Sequence, residues 1–240
     1  EDIKKTIIEK KTGAYLRFGD GDIYLLLGLD DLYHKANKNL SKEMKQVFKL
    51  NKGIFHKAFP LNSNLFGFEV GMKEDMHLVS DANAIKYVSV IKKYIKENQI
   101  YSAIALHYLS TYNQDYCVSF LNFLKSKKPV FVGNENIKKE IVDKLFGDIH
   151  IKTPSNNSYS EIDRIESELL CVLKKDEFRV VVIAMGCAGR ILQKRILHKG
   201  YNVYLFDFGS LLDAFNGDNS RLWIDLAGVN NLNKVLDKIA

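Results

Sequence analysis

A chain of 240 residues with 46% hydrophobic and 11% aromatic content can bury the core of one α/β domain or two small ones, which excludes a disordered polymer. The formal charge of +6 is carried largely by lysines interspersed with acidic residues. That pattern describes a solvated surface able to attract phosphorylated small molecules, and it lacks the basic–aromatic stripe of a nucleic-acid interface. The three cysteines are odd in number and carry no C-x-x-C, no apolar run is long enough to span a membrane, and no signal peptide is visible, so reduced thiols in the cytoplasm are expected and a zinc site is not.

From the N-terminus, Ile3, Ile7 and Ile8 among lysines predict a helix within 2–12, closed by Gly13. Ala14–Phe18 reads as a strand that ends in Gly19-Asp20-Gly21-Asp22, and 23–28 as helical. A second helix is expected over Ser41–Lys49, with Ser41 as its N-cap and Gly53 beyond its end. Residues 54–72, with Phe55, His56, Phe59, Phe66 and Phe68, read as an irregular aromatic region that either walls a pocket or covers the core. Asp81 opens an amphipathic helix bearing Ile85, Val88, Ile91 and Ile95.

Strands and helices then alternate. Strands are expected at Tyr101–Leu106, Pro129–Val132, Ile149–Ile151, Arg179–Met185 and Tyr201–Phe206. Helices are expected at Tyr116–Leu124 and Ile137–Phe146, from a Ser158/Glu161 capping box through Val172, from Gly186 to Leu197, and at Leu232–Ile239. This rhythm predicts an α/β fold: a Rossmann-like, mainly parallel sheet flanked by helices, over 1–240 as one domain. The chain begins at Glu1 and not Met, so it also reads as a piece cut from a longer chain.

Ligands of such sheets sit beyond the carboxyl ends of the strands. Six loops are expected there: 19–22, 107–111, 133–136, 154–157, 186–189 and 207–210. Asp20 and Asp22, two apart on an extended chain, would point the same way and hold a hard cation, Mn²⁺ or Mg²⁺, through carboxylate oxygens. Read from the residues alone, a metal-dependent phosphohydrolase or nucleotidyltransferase would use the same pair. A non-catalytic nucleotide- or polysaccharide-binding module would use the same loops.

The segment Leu16-Arg17-Phe18-Gly19-Asp20-Gly21-Asp22 resembles the R-F-G-D-G-E signature of the GT-D fold glycosyltransferases. Val132-Gly133-Asn134, Pro154–Tyr159, Ala184–Gly189 with Gly200-Tyr201, and Asp207-Phe208-Gly209 are similar to further stretches of that family in the same order. The resemblance spans about Gly13 to Asp225. The last position of the first motif is Asp22 where the family has Glu, which keeps the charge and shortens the arm by one methylene. The resemblance implies a nucleotide-sugar-dependent transferase with a metal bound by the acidic motif, a UDP-sugar such as UDP-glucose as donor, and a bacterial surface glycan or glycoprotein as acceptor. It suits a cytoplasmic enzyme, with peripheral contact at the inner face of the membrane. Asp20 and Asp22 are then the expected metal ligands. Arg17, Gly19, Gly133, Asn134, Ser155, Asn156, Asn157 and Gly186 are the expected contacts to nucleotide and phosphate. Should the transfer invert, an acceptor hydroxyl must lose a proton, for which His107 at a strand tip, Asp207 and Asp213 are the candidates.

Overall fold

The computed structural model describes residues 1–59, 89–90, 92–94, 100–219 and 221–240. Among them are strands β1 (Gly13–Arg17), β2 (Ile54–Phe59), β3 (Tyr101–Ser102), β4 (Val130–Asn134), β5 (His150–Thr153), β6 (Arg179–Ala184) and β7 (Val203–Asp207). They form one sheet in the order β3-β2-β1-β7-β6-β4-β5, and every neighbouring pair is parallel. The helices are α1 (Asp2–Ile8), α2 (Asp20–Leu26), α3 (Lys38–Phe48), α4 (Ala105–Tyr112), α5 (Gln114–Ser126), α6 (Lys139–Leu145), α7 (Ile162–Val172), α8 (Gly186–His198), α9 (Leu211–Asn216), α10 (Leu222–Ala227) and α11 (Val229–Asp237). None of the described helices is long and apolar enough to cross a membrane.

Alternation along each strand builds two cores, because successive side chains leave a strand on opposite faces. Tyr15, Phe131, Val180, Val182, Tyr204 and Phe206 pack on one face with α1, α4, α5, α6, α9, α10 and α11. Ala14, Leu16, Val130, Val132, Val181, Ile183 and Leu205 pack on the other with α2, α3, α7 and α8. The helix after β1 therefore goes to one face and the helix after its neighbour β7 to the other. Such a divergence opens a crevice at the carboxyl ends of the two strands, where ligands of open α/β sheets bind.

Several boundaries differ from expectation. Ile54–Phe59 is a strand and not a loop; its buried His56 meets the Tyr204 hydroxyl at 2.7 Å from Nδ1, and Lys57 is buried beside it. Phe66 and Phe68 lie outside the described residues, as does most of the helix expected from Asp81, of which 89–90 and 92–94 are helical. The strand expected at Tyr101–Leu106 stops at Ser102, and His107 falls inside α4. α3 starts earlier than expected, because the Asn37 side chain accepts from the amides of Asn39 and Leu40 and Ser41 is interior. Ser158 opens a short 3₁₀ turn (Ser158–Glu161), and its hydroxyl donates to Met185 O at 3.2 Å without capping.

Behind the crevice, Glu43 of α3 locks three helices. Its carboxylate accepts from Lys194 Nζ at 2.8 Å and Arg195 Nη2 at 2.6 Å on α8, and from the Tyr159 hydroxyl at 3.0 Å, while Arg195 also holds Asp163 and Glu166 of α7. Burial works to raise the Glu43 pKa, but the bonds from Arg195 and Lys194 outweigh it and hold the group at about 2, below its ordinary 4.5. A depressed carboxylate stabilises the fold above its unfolded pKa and loses that contribution as pH falls through the folded one. Glu43→Gln should cost roughly 2 kcal/mol at neutral pH, since the buried Lys194 loses its counter-charge. In urea titrations the gap between wild type and variant should close between pH 4.5 and about 2.

Candidate functional site

β1 delivers the chain to the crevice and Phe18 anchors it there, fully buried and stacked on Phe48 and Phe59 with ring centroids 4.3 and 5.1 Å apart. Gly19 is extended and α2 begins at once with Asp20. The expectation that Asp20 and Asp22 share a direction on an extended chain is therefore corrected. On a helix turning about 100° per residue they leave about 200° apart. Asp20 stays half-buried at the rim, where its Oδ1 accepts from Gly21 N at 2.9 Å. Asp22 turns inward at 1% exposure, and its Oδ2 accepts from Gly19 N at 2.7 Å, capping the helix. Burial raises the Asp22 pKa, and the Arg190 guanidinium opposes that shift.

The inward turn places Asp22 in a line of alternating charges. Asp22 Oδ1 lies 3.4 Å from Arg190 Nε, Arg190 Nη1 lies 3.1 Å from Asp207 Oδ2, and Arg17 Nη1 lies 3.3 Å from Asp207 Oδ1. Arg190 Nε also donates to Arg17 O at 2.5 Å and its Nη1 to Gly186 O, while Arg17 Nε donates to Ala103 O at 2.6 Å. Burial works against the charge on Arg190, but Asp207 and Asp22 outweigh it and raise its pKa. Gly209 sits at φ +75 against this line, and a Cβ there would lie 1.4 Å from Arg17 Nη1, so no other residue fits without moving the arginine.

A second polar group lies under Gly21. Asp31 Oδ1 accepts from Tyr33 N at 2.8 Å and His34 N at 2.5 Å; His34 Nδ1 is 3.2 Å from both Asp31 oxygens, and the Cys187 thiol is 3.0 Å from Oδ2. His34 Nε2 reaches Ser158 Oγ at 3.3 Å. Burial works to raise the Asp31 pKa, but bonds from His34 and Cys187 bring it down to about 2. A Cβ on Gly21 would come within 2.8 Å of Asp31 Oδ2 and 3.1 Å of Cys187 Sγ, which explains the second glycine of the motif.

The remaining expected contacts divide. Gly186, at φ +58, is exposed at the start of α8, and Gly19 is partly exposed beside it in the motif turn. Asn134 Oδ1 accepts from Ser155 Oγ at 3.1 Å, and Asn136 Nδ2 donates to Ser155 at 2.8 Å, forming an exposed amide–hydroxyl cluster past β4 and β5. Asn156 and Asn157 are exposed next to it, Asn157 in the left-handed region with its N–H on Tyr33 O at 2.7 Å. Gly133 is buried within β4, where a Cβ would strike the Phe131 ring at 2.3 Å. Its role is packing, and the Phe131 ring accounts for it.

His107 is not at a strand tip. It is buried on α4, stacked on Trp223 with centroids 4.0 Å apart, and its Nε2 lies 3.2 Å from Ser210 Oγ, which also accepts from Trp223 Nε1 at 3.0 Å. Burial, reinforced by Arg17 and Arg221, pushes its pKa well below 6.5. Asp207 is committed to two arginines, and Asp213 lies within α9. Reading of the sequence missed Arg190, Asp31, His34 and Cys187 as members of the site.

The charge line makes a stability prediction. Arg190→Met leaves Asp22 buried without a counter-ion and should cost about 3–5 kcal/mol. Adding Asp22→Asn should restore part of that loss, read from the urea midpoint, whereas additive losses would sever the proposed coupling.

Comparison with known proteins agrees with this fold. The profile described as "Glycosyltransferase GT-D fold" matches residues 15–216. A search of curated proteins found no match. Among solved structures, a new glycosyltransferase (DUF1792) from Streptococcus sanguinis is 17% identical at a TM-score of 0.64, over 87% of this chain and 78% of that one. A selenomethionine-substituted structure of the domain of unknown function 1792 is 18% identical at a TM-score of 0.68, over 95% and 80%. A third structure, of the same domain and described as having a distinct glycosyltransferase fold, is 18% identical at a TM-score of 0.64, over 86% and 75%. With a family match over most of its length and this fold, the chain belongs to the GT-D fold glycosyltransferases.

Proposed function

We propose that the enzyme moves a hexose from a UDP-sugar, UDP-glucose or a relative, to a glycan or glycoprotein acceptor with the help of Mn²⁺ or Mg²⁺. The observation that carries this reading is the seam between β1 and β7. There a rim carboxylate, Asp20, precedes Gly21, which packs on Cys187 at the start of α8, above arginines already neutralised by buried acids; the Asn134–Ser155 cluster lies at the same carboxyl edge of the sheet, past β4 and β5. The residues fit a hard cation at Asp20, whose carboxylate sits at the rim. Asp22 supports it from below by fixing the start of α2, and its direct participation would need the Gly19 cap to open. When bound, the ion acts as a Lewis acid that offsets charge growing on the departing diphosphate.

The chain's own groups do the rest. Gly19 and Gly186 let backbone approach the phosphates, and the N-terminus of the 13-residue α8, opened by the exposed Gly186, favours an anion. Asn134, Ser155, Asn156 and Asn157 line the side where the nucleoside would lie. Arg17 holds the seam through Asp207 and Ala103 O, so its part is positioning. For an inverting transfer, His107 takes the acceptor proton through Ser210, whose Oγ accepts from Trp223 Nε1 and lies 3.2 Å from the imidazole Nε2; the relay requires the tautomer in which Nε2 accepts the hydroxyl proton. The lysine-rich surface suits a cytoplasmic enzyme that meets its acceptor at the inner face of a membrane.

Asp20→Asn should keep the fold and lower metal-dependent sugar transfer by about 10²-fold or more, the scale of losing one electrostatic stabiliser. UDP release from a UDP-sugar in the presence of acceptor and Mn²⁺ measures it, and full activity would refute the assignment. His107→Asn should lower kcat by about 10²-fold or more with the donor KM unchanged. Because burial holds the imidazole neutral, the wild-type rate should persist as pH falls below 6.5, and a loss centred at 6.5 would exclude His107 as the base.

A further inference from the structure

We propose that Asp31, His34 and Cys187 form a binding site for a zinc-class divalent cation beneath Gly21, separate from the hard-cation site at Asp20. A carboxylate, an imidazole and a thiol each present one ligand atom within 4.8 Å of the others, and all three side chains are largely shielded from water. Nδ1 and Oδ2 are 3.2 Å apart, and Sγ and Oδ2 3.0 Å. Ligands about 2.0–2.3 Å from a tetrahedral zinc would be separated by little more than this, so binding needs only small side-chain movements.

The hydrogen bonds point the same way. Ser158 Oγ lies 3.2 Å from Met185 O and 3.3 Å from His34 Nε2, so when its proton goes to Met185 O its oxygen accepts from Nε2. With the proton on Nε2, the lone pair of Nδ1 faces both oxygens of the Asp31 carboxylate. In that tautomer a cation between the two groups would be held by both, by the imidazole through Nδ1 and by the carboxylate through an oxygen. Ser158 is then the outer partner that fixes the tautomer a histidine ligand needs. The chemistry selects the ion: a thiolate with an imidazole suits zinc, whereas magnesium and manganese favour all-oxygen sets. Binding converts the Cys187 thiol to thiolate and releases its proton to solvent, leaving a fourth position for water. The spacing of these residues in the sequence, 31, 34 and 187, gave no such signal because the fold brings the thiol from the start of α8. Bound there, the ion ties the loop after α2 to α8 and braces the floor under the motif.

Cobalt(II) titrated into metal-free wild-type protein tests this. Expected is one equivalent of tetrahedral cobalt with thiolate-to-metal charge-transfer absorption, displaced by zinc, together with a zinc-dependent rise in Tm. Cys187→Ser should lose the charge-transfer band, and Asp20→Asn should keep it, so failure here is distinguishable from failure of the donor-site reading. If Cys187→Ser does not fold, alkylation of the wild type in urea near its unfolding midpoint, where the buried Cys187 becomes reachable, decides: zinc should slow reaction at Cys187 while the exposed Cys171 reacts at an unchanged rate. Weak octahedral cobalt absorption alone, a band that survives in Cys187→Ser, or alkylation of Cys187 unaffected by zinc would overturn the proposal.

Discussion

Four acidic and basic side chains cross the seam between β1 and β7 in the order Asp22, Arg190, Asp207, Arg17. Taking charges out of water costs several kcal/mol each, so such a group persists only when every member has an opposite neighbour and its spare protons find acceptors. Here the spare protons go to backbone: Arg190 to the carbonyls of Arg17 and Gly186, Arg17 to that of Ala103. The same bonds therefore fix the ends of β1 and β7, the start of α8 and the turn before α4. Asp22 enters the line only because α2 begins at Asp20 and turns its third residue inward. Gly209 is required because Arg17 occupies the space of its absent side chain.

This arrangement divides the acidic motif into two tasks. Asp20 remains at the rim, open to a ligand as proposed above, and Asp22 caps the helix and stands against Arg190. Aspartate in place of the family's glutamate suits that second task, since the shorter arm reaches the Gly19 amide three residues back. Belonging to the GT-D family removes the phosphohydrolase and the passive binding module as readings of the chain. Only the transferase reading carries through the match over residues 15–216.

Much of this was legible in the sequence. β4, β6 and β7 are apolar runs of the kind a parallel sheet buries on both faces, and the helices between them follow their apolar spacing. β2 was not, because Ile54–Phe59 carries a histidine and a lysine in its middle. His56 is tolerated there through the Tyr204 hydroxyl, 148 residues away. The polar stretches 133–136, 154–157 and 207–210 lie at strand ends as the rule for parallel sheets places them, whereas 107–111 lies inside α4, and the long-range partners were not legible. Arg190 bonds to Arg17 across 173 residues and Cys187 to Asp31 across 156, and local pattern cannot report such pairs. The direction of Asp22 was missed for a different reason. A glycine-flanked tip gave no sign that the helix starts at Asp20 and not at Ile23, and that shift reverses where the carboxylate points.

The single tryptophan of the chain is buried in the core just past the end of β7, its ring face to face with His107 at 4.0 Å and its N–H on Ser210. An excited indole is sensitive to the charge of an imidazole in contact with it and to the solvation of its N–H. The protein's intrinsic emission therefore originates beside His107 and Ser210, undiluted by distant chromophores of the same kind. A change of charge at His107 is written into light that the enzyme already emits, without any label being attached.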